Sequence, residues 1–286
     1  MTFFIAEISS NHNGSLPRAL ELVDRASEEG FDAVKFQLFG ITDLFAQEIL
    51  DKSEEHRARS KWELPKEFLR PLRKRASELS LGFSVTPFSI SAVQESQDFV
   101  DFFKVASYEL LWEELLVHLA QTHKPVVISS GMANLAEVAH ARDILVESGC
   151  TDISILHCLS SYPSPPEETN LSAIATLRDA LGEKTGWSDH TRNPGVIHRA
   201  VHRWGAEIIE LHLDLDGKGF EFAPGHCWLP EEAGKVIREI REGQGSDGSG
   251  IKEPAPSEIA DREWRADPSD GLRPLKHMRA EWKKER

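Results

Sequence analysis

Two histidines and two lysines are the residues best placed by type and spacing to do chemistry. Residues 186–191 read G-W-S-D-H-T, and residues 206–213 read A-E-I-I-E-L-H-L. His190 lies just past one short strand-like run. His212 closes another, two positions after Glu210, so those two side chains share a strand face. Imidazole binds divalent transition metals, and two such ligands leave positions open for substrate and water. Taken alone, the pair also fits a helix cap and an unrelated residue in a barrel mouth. Lys35 and Lys104 lie within the apolar runs A-V-K-F-Q and F-F-K-V, where an unpaired ammonium is costly. Either each pairs with an interior carboxylate such as Glu7 or Glu109, or the two form an anion pocket with nearby hydroxyls. Gly131, after Ser129 and Ser130, would let backbone amides approach the same anion.

Something must bring these groups together, and the periodicity says what. Strand-like runs fall at 3–7, 32–37, 82–86, 102–105, 125–129, 153–157, 185–187 and 206–212. Helical patterns fall between and after them, at 17–29, 65–79, 90–97, 112–122, 134–148, 171–181, 195–204 and 230–242. Asn134 with Glu137 forms a capping-box-like start to one of these. Near-continuous apolar strands suit an all-parallel sheet. Eight strand–helix units predict an α/β protein, a closed (β/α)8 TIM barrel over residues 1–245, rather than an open doubly wound sheet. A Gly/Ser/Asp-rich linker and a short tail, 246–286, are expected to pack on the barrel or on a partner subunit. Residues 51–61 read as a charged loop.

In such a barrel the site forms at the C-terminal strand ends. The sequence supplies polar groups there from all eight runs: Glu7; Lys35 and Gln37; Thr86; Lys104, Ser107 and Glu109; Ser129 and Ser130; Ser160, Ser161 and Tyr162; Ser188, Asp189 and His190; Glu210 and His212. His157 reads as a packed strand residue and Cys158 as a small hydrophobe. His12 reads equally as a loop hydrogen-bonder or a lid residue.

Bulk properties narrow the class of function. A hydrophobic content of 40%, a charged content of 28% and a net charge of −14 describe an ordinary globular protein unsuited to nucleic acid or an anionic membrane. No apolar run approaches the roughly 18 residues needed to span a bilayer. Three cysteines without a C-x-x-C pattern, and an N-terminus without a basic leader, predict a reducing cytoplasm.

As a set, the motifs resemble the N-acetylneuraminate (sialic acid) synthase family of phosphoenolpyruvate-dependent condensing enzymes. The resemblance is carried by A-E-I-S-S-N-H-N-G (6–14), A-V-K-F-Q (33–37), S-V-T-P-F (84–88), F-K-V-A-S-Y-E (103–109) and I-S-S-G-M (128–132). It continues through L-H-C-L-S-S-Y-P-S-P (156–165), W-S-D-H-T (187–191), I-E-L-H (209–212) and G-S-G-I-K-E-P-A-P-S-E (248–258). It implies a transferase that condenses phosphoenolpyruvate with an aldose, N-acetylmannosamine or a related sugar, giving a 2-keto-3-deoxy acid and phosphate. The donor pocket would be Lys35, Thr86, Lys104, Ser107, Ser129, Ser160 and Ser188. Acceptor contacts would be Glu7, Gln37, Glu109 and Tyr162. His190 and His212 would hold a divalent metal, Mn2+ or else Mg2+ or Co2+, with Glu7, Lys35, Lys104 and the two histidines as the catalytic set.

Three departures qualify what the resemblance implies. The family usually carries a C-terminal antifreeze-like domain that lends an arginine to a partner's site, and the sequence leaves no room for one; Arg262, Arg265 or Arg273 could stand in, and a homodimer stays open. The family's G-P-D-H reads Ala223, Pro224, Gly225, His226, and its E-K-H-F reads Glu210, Leu211, His212, Leu213. The donor side is thus expected to be kept and the acceptor side changed, with residues 214–228 the most divergent. A Schiff-base aldolase using Lys35 or Lys104 and a non-catalytic sugar- or anion-binding barrel are the competing readings.

Overall fold

The structure, a computed structural model, describes residues 1–282. Eight parallel strands close into a barrel in chain order, β1 pairing with both β2 and β8. They are β1 Phe3–Glu7, β2 Ala33–Leu38, β3 Gly82–Pro87, β4 Phe102–Val105, β5 Val126–Ser129, β6 Ile153–Cys158, β7 Lys184–Asp189 and β8 Ile208–His212. The connecting helices are α1 Leu16–Glu28, α2 Ile41–Leu44, α3 Gln47–Lys52, α4 Glu54–Ala58, α5 Leu69–Glu78, α6 Ile90–Ser96, α7 Glu113–Gln121, α8 Leu135–Glu147, α9 Ala173–Leu181, α10 Pro194–His202 and α11 Pro230–Gly245.

Side-chain alternation sorts each strand into two cores. Outward residues such as Phe4, Phe36, Phe83, Phe103, Ile128 and Trp187 pack beneath the helices. Inside the barrel, Ile5, Ala33, Phe102, Val127, Leu156 and Ile208 form a separate apolar plug. Two residues further along the same strands stand Glu7, Lys35, Lys104, Ser129, Cys158 and Glu210. With a two-residue period, one layer of plug necessarily puts the next layer of polar groups on top of it. Gly186 belongs to the plug layer. A Cβ there would lie 2.1 Å from the Ile208 carbonyl oxygen and 2.7 Å from Leu156 Cδ2, so only glycine lets β7 and β8 approach this closely.

Local signals set the helix ends. Ser15 caps α1 by accepting from the Arg18 amide, and Asn134 with Glu137 closes a capping box on α8. Two expectations are corrected. The charged stretch 51–61 is not a loop. It contains the end of α3, all of α4, capped by Ser53, and the 3-10 turn Arg59–Trp62. Helices of five or six residues span too few turns for an apolar period to show. The single helix expected at 65–79 begins as a 3-10 turn, Lys66–Phe68, before α5.

The chain divides into two compact units, Met1–Gln244 and a second unit from Gly245. Within the second, α12 Lys276–Trp282 packs Trp282 edge-on to Trp264, with ring centroids 6.1 Å apart. Arg279 donates twice to Asp270, at 2.9 Å each.

Candidate active site

The strand-end layer carries a continuous network of buried charge. Lys35 Nζ donates to Thr86 Oγ1 at 2.9 Å, is ion-paired with Glu7, and lies 3.7 Å from Glu210 Oε2. Lys104 Nζ donates to Ser129 Oγ at 2.6 Å and to the Val105 carbonyl at 3.1 Å, and lies 3.7 Å from Glu210 Oε1. Ser188 Oγ donates to that same Glu210 oxygen at 2.9 Å, and Gln37 Nε2 donates to Glu7 Oε1 at 3.0 Å. Each lysine thus approaches an interior carboxylate, Glu7 or Glu210 rather than Glu109, and also donates to a hydroxyl.

Burial and pairing compete at each charge. Burial alone would raise Glu210, but Lys104 and Lys35 overcome it and hold the carboxyl down at about 2. Glu7 goes the other way: burial pushes it up to about 7 against the pull of Lys35. Burial lowers Lys104, with Glu210 opposing. For Lys35, burial is outweighed by Glu210 and Glu7, which keep it charged. Glu109 is raised to about 7 by burial, and its Oε2 has no hydrogen-bond partner.

Beside Lys104 is a cradle of short donors. The Gly131 amide donates to Ser107 Oγ at 3.0 Å. A Cβ on Gly131 would meet Ser160 Oγ at 2.2 Å and Ser107 Oγ at 2.7 Å, so both hydroxyls lie against the bare backbone. Ser160 Oγ is buried without a partner. Two hydroxyls, a main-chain amide and the Lys104 ammonium are groups of the kind that can seat an anion.

On the opposite strands the histidines meet as expected, the rings of His190 and His212 lying 5.1 Å apart. A third ring, His226, which its spacing does not mark as a candidate ligand, joins them. It lies 4.8 Å from His212 and 6.1 Å from His190. The group whose donor atoms converge is His212, Glu221, His226 and Cys227, all within 4.8 Å of one another. His190 stands outside that group. Its Nδ1 is engaged by the Leu159 carbonyl at 2.8 Å, and Cys158 Sγ is 3.9 Å away. Engagement of one ring nitrogen by a carbonyl is how a metal-ligating histidine is commonly oriented, so His190, His212 and His226 all stand as candidate ligands. His212 Nδ1 and His226 Nδ1 are buried with no hydrogen-bond partner. Burial holds His212 down at about 3, so the ring stays neutral, the form that ligates a metal. Imidazoles beside a carboxylate are donors of the type that suits a divalent transition ion.

The segment carrying these ligands is tied down on all sides. Asp189, fully buried, accepts from Trp187 Nε1 at 3.0 Å and Trp228 Nε1 at 3.1 Å, from Thr191 Oγ1 at 2.7 Å, and from the amides of Thr191 and Arg192. It thereby fixes both the turn bearing His190 and the residue two beyond His226. Tyr162, part-exposed, lays its ring 4.1 Å from His190 and 5.0 Å from His226. His157 is a packed strand residue, its Nε2 against the Thr169 carbonyl at 2.8 Å. Cys158 is buried; His190 outweighs the burial that would otherwise raise its thiol. His12 is fully buried in the β1–α1 loop, Nδ1 accepting from the Gly14 amide at 3.0 Å and Nε2 unpartnered. The sequence signal for His226 is its place at the end of Ala223–His226, where the family's G-P-D-H falls; Trp228, two residues on, pairs with Leu213 and brings the segment back over the barrel.

A closed (β/α)8 barrel with an anion cradle and an imidazole–carboxylate cluster over one strand-end layer is the framework of an enzyme. The chain belongs to the NeuB family, whose profile matches residues 22–252. It is 39% identical over 261 residues, 90% of this chain and 75% of the other, to an uncharacterized protein of Methanocaldococcus jannaschii. It is 33% identical over 273 residues, 90% of this chain and 80% of the other, to the N,N'-diacetyllegionaminic acid synthase of Campylobacter jejuni. Among solved structures it resembles the N-acetylneuraminic acid synthetase of Leptospira borgpetersenii in complex with citrate, with TM-score 0.81, 30% identity and coverage of 92% and 91% of the two chains. Like these named synthases, the chain is a carbon–carbon bond-forming enzyme of the transferase type. Among the described residues, no helix is long and apolar enough to cross a membrane.

Proposed function

We propose that the chain condenses phosphoenolpyruvate with an aldose to give a 2-keto-3-deoxy sugar acid and phosphate. The observation behind this reading is a buried strand-end layer with Lys104 and serine hydroxyls on the β4–β6 side and imidazoles with a carboxylate at and after β8, Glu210 lying 3.7 Å from Lys104 and two residues before His212. Lys104, Ser129, Ser107, Ser160 and the Gly131 amide would hold the donor's anionic groups, with Lys35 and Thr86 completing the pocket. His190 and His212, with His226 beside them, would hold a divalent ion, which supplies Lewis-acid polarisation of the acceptor's aldehyde oxygen when bound. The donor's methylene carbon then forms its new bond to the aldehyde carbon. Water adds at the donor's second carbon, and loss of phosphate leaves the keto group. Glu7, titrating near neutrality, suits the proton transfer at that water. Gln37 orients Glu7; Tyr162, half-exposed beside the rings, and Glu109 face the acceptor in this reading.

Phosphate release from phosphoenolpyruvate, followed with Mn2+ across a panel of aldoses, tests the proposal. Release that depends on one class of aldose and stops with EDTA is expected. No release with any aldose, while phosphoenolpyruvate still binds, would leave a binding barrel. One observation favours a second reading: burial lowers Lys104, as a Schiff-base amine requires. Borohydride trapping of pyruvate on Lys104 would establish it in place of the first.

A further inference from the structure

Most buried polar atoms without a partner at the strand-end face belong to residues already placed in the site. Two do not: His12 Nε2 and Trp62 Nε1, each buried with no hydrogen-bond partner among the described residues. The tautomer of His12 follows from its other nitrogen. Nδ1 accepts from the Gly14 amide at 3.0 Å, so it carries no proton, and the single proton of the neutral ring lies on Nε2. Burial keeps the ring neutral, pushing it down to about 4 against the pull of Glu221. His12 and Trp62 therefore each present an N–H that can donate and cannot accept. A buried donor left unmade is costly, and two on neighbouring loops call for a shared partner.

Both donors sit where three strand-end loops meet. His12 lies in the β1–α1 loop, which is seated against the segment that follows β8. There Asn11 donates to the Leu213 carbonyl and accepts from the Glu221 amide, both at 2.9 Å. Asn13 donates to the Lys218 carbonyl at 2.9 Å and accepts from the Phe220 amide at 3.0 Å. On the loop's other side Ser10 Oγ donates to the Trp62 carbonyl at 3.3 Å. Trp62 lies late in the excursion that follows β2, with Arg59 5.2 Å from its ring centre and Lys61 5.2 Å from that of Phe220. The strands feeding the first two loops, β1 and β2, end in Glu7 and Gln37, which stand on the acceptor side in the reading above.

We infer that His12 Nε2 and Trp62 Nε1 recognise the acceptor sugar by donating to its oxygen atoms, and so help to set which aldose is taken. This rests on the condensing reading above and adds the chemistry its acceptor must offer. Donor-only groups demand a lone pair, from a hydroxyl or an acyl carbonyl, and reject an ammonium. Neither nitrogen is open to solvent, so the sugar enters as the excursion lifts from the β1–α1 loop. The helices α2–α4 and the 3-10 turn Arg59–Trp62 bury only Leu50, the thin packing that local opening requires.

Three substitutions separate recognition from loop structure. His12→Asn keeps an acceptor for the Gly14 amide and loses the Nε2 donor. His12→Gln does the reverse, its amide nitrogen falling near the place of Nε2. Trp62→Phe removes the N–H and keeps a ring under Arg59. Aldose affinity is read by ligand-observed NMR on the Mn2+-loaded full chain, with 2-acetamido hexoses beside unsubstituted ones, and KM by phosphate release. His12→Asn and Trp62→Phe are each expected to weaken the aldose about three- to tenfold. Their kcat, phosphoenolpyruvate affinity and melting temperature should stay near the parent's. His12→Gln is expected to melt lower and to keep aldose affinity within about twofold. A loss confined to 2-acetamido hexoses identifies the oxygen as the acyl carbonyl, and a loss for both classes identifies a hydroxyl. Unchanged affinity in His12→Asn and Trp62→Phe, beside aldose-dependent phosphate release, overturns the inference and leaves the synthase reading standing. An equal loss in both His12 variants that tracks their melting also overturns it, making His12 a loop brace alone. A parent chain that binds no aldose overturns both. Aldose binding that depends on His12 and Trp62 without phosphate release supports the inference while sinking the synthase reading.

Discussion

Replacing Gly131 by alanine should separate donor binding from every other property of the protein. The new Cβ would sit 2.2 Å from Ser160 Oγ, 2.7 Å from Ser107 Oγ and 3.1 Å from Ser107 Cβ. The first two are ends of rotatable side chains. The fold can yield by turning them, and the cost in stability should stay within the overpacking range of about 1–3 kcal/mol. Turning them, however, takes both hydroxyls out of the cradle and breaks the bond from the Gly131 amide to Ser107. Each hydrogen bond to a charged group is worth about 1.5–3 kcal/mol. Losing one or two should cost about 2–4 kcal/mol of donor affinity, roughly 30- to 700-fold. Calorimetric titration of phosphoenolpyruvate reads this directly, and thermal melting monitors the fold. Mn2+ affinity should not move, because the imidazoles proposed to hold the ion come from the ends of β7 and β8 and from the segment after β8. Donor affinity within threefold of the parent, in a variant that melts normally, would refute the assignment of this cradle to the donor's anion.

Other perturbations probe separate parts of the argument. Glu109 is raised to about 7 by burial from an ordinary 4.5, so the folded chain binds its proton more tightly than the unfolded one. That contribution is complete below pH 4.5 and lost as pH rises through 7, about 3 kcal/mol at most. Melting temperature plotted against pH should therefore fall less steeply between 5 and 8 in Glu109→Gln, and parallel curves would refute the burial argument. Gly186→Ala puts a Cβ 2.1 Å from the Ile208 carbonyl, which cannot rotate away. It should cost at least about 3 kcal/mol by chemical denaturation, and near-parental stability would contradict the close β7–β8 approach. In Asp189→Asn either carboxylate oxygen replaced by an amide faces at least two donors. A loss of about 2–4 kcal/mol is expected, together with weaker metal binding as the turn and Trp228 loosen.

What could be read without coordinates was whatever repeats or lies at a fixed offset. Eight apolar runs with helical patterns between them specify a barrel because strands buried on both faces have few other ways to close. Lys35 and Lys104 were legible as site residues because a charge inside an apolar strand demands a partner. The parity that puts Lys35 two beyond Ala33, and Lys104 two beyond Phe102, then fixes them above the plug. The short helices α3 and α4 were not legible, being too brief for a period. Nor was the approach of His226 to the His190–His212 pair, because it lies in a stretch without a period.

The sequence alone determined the barrel, the layer of polar strand ends and the family resemblance, since these depend on alternation and on motifs in collinear order. Tertiary structure alone decided which imidazoles come close together and which carboxylate lies beside them. Glu221 and His226 lie in the irregular stretch 214–228, where no period constrains a side chain's direction. Their positions are set by hydrogen bonds from Ser9, Asn11 and Asn13, more than two hundred residues earlier, and by Trp228 anchored on Asp189. Such contacts come into being only when β1 closes against β8.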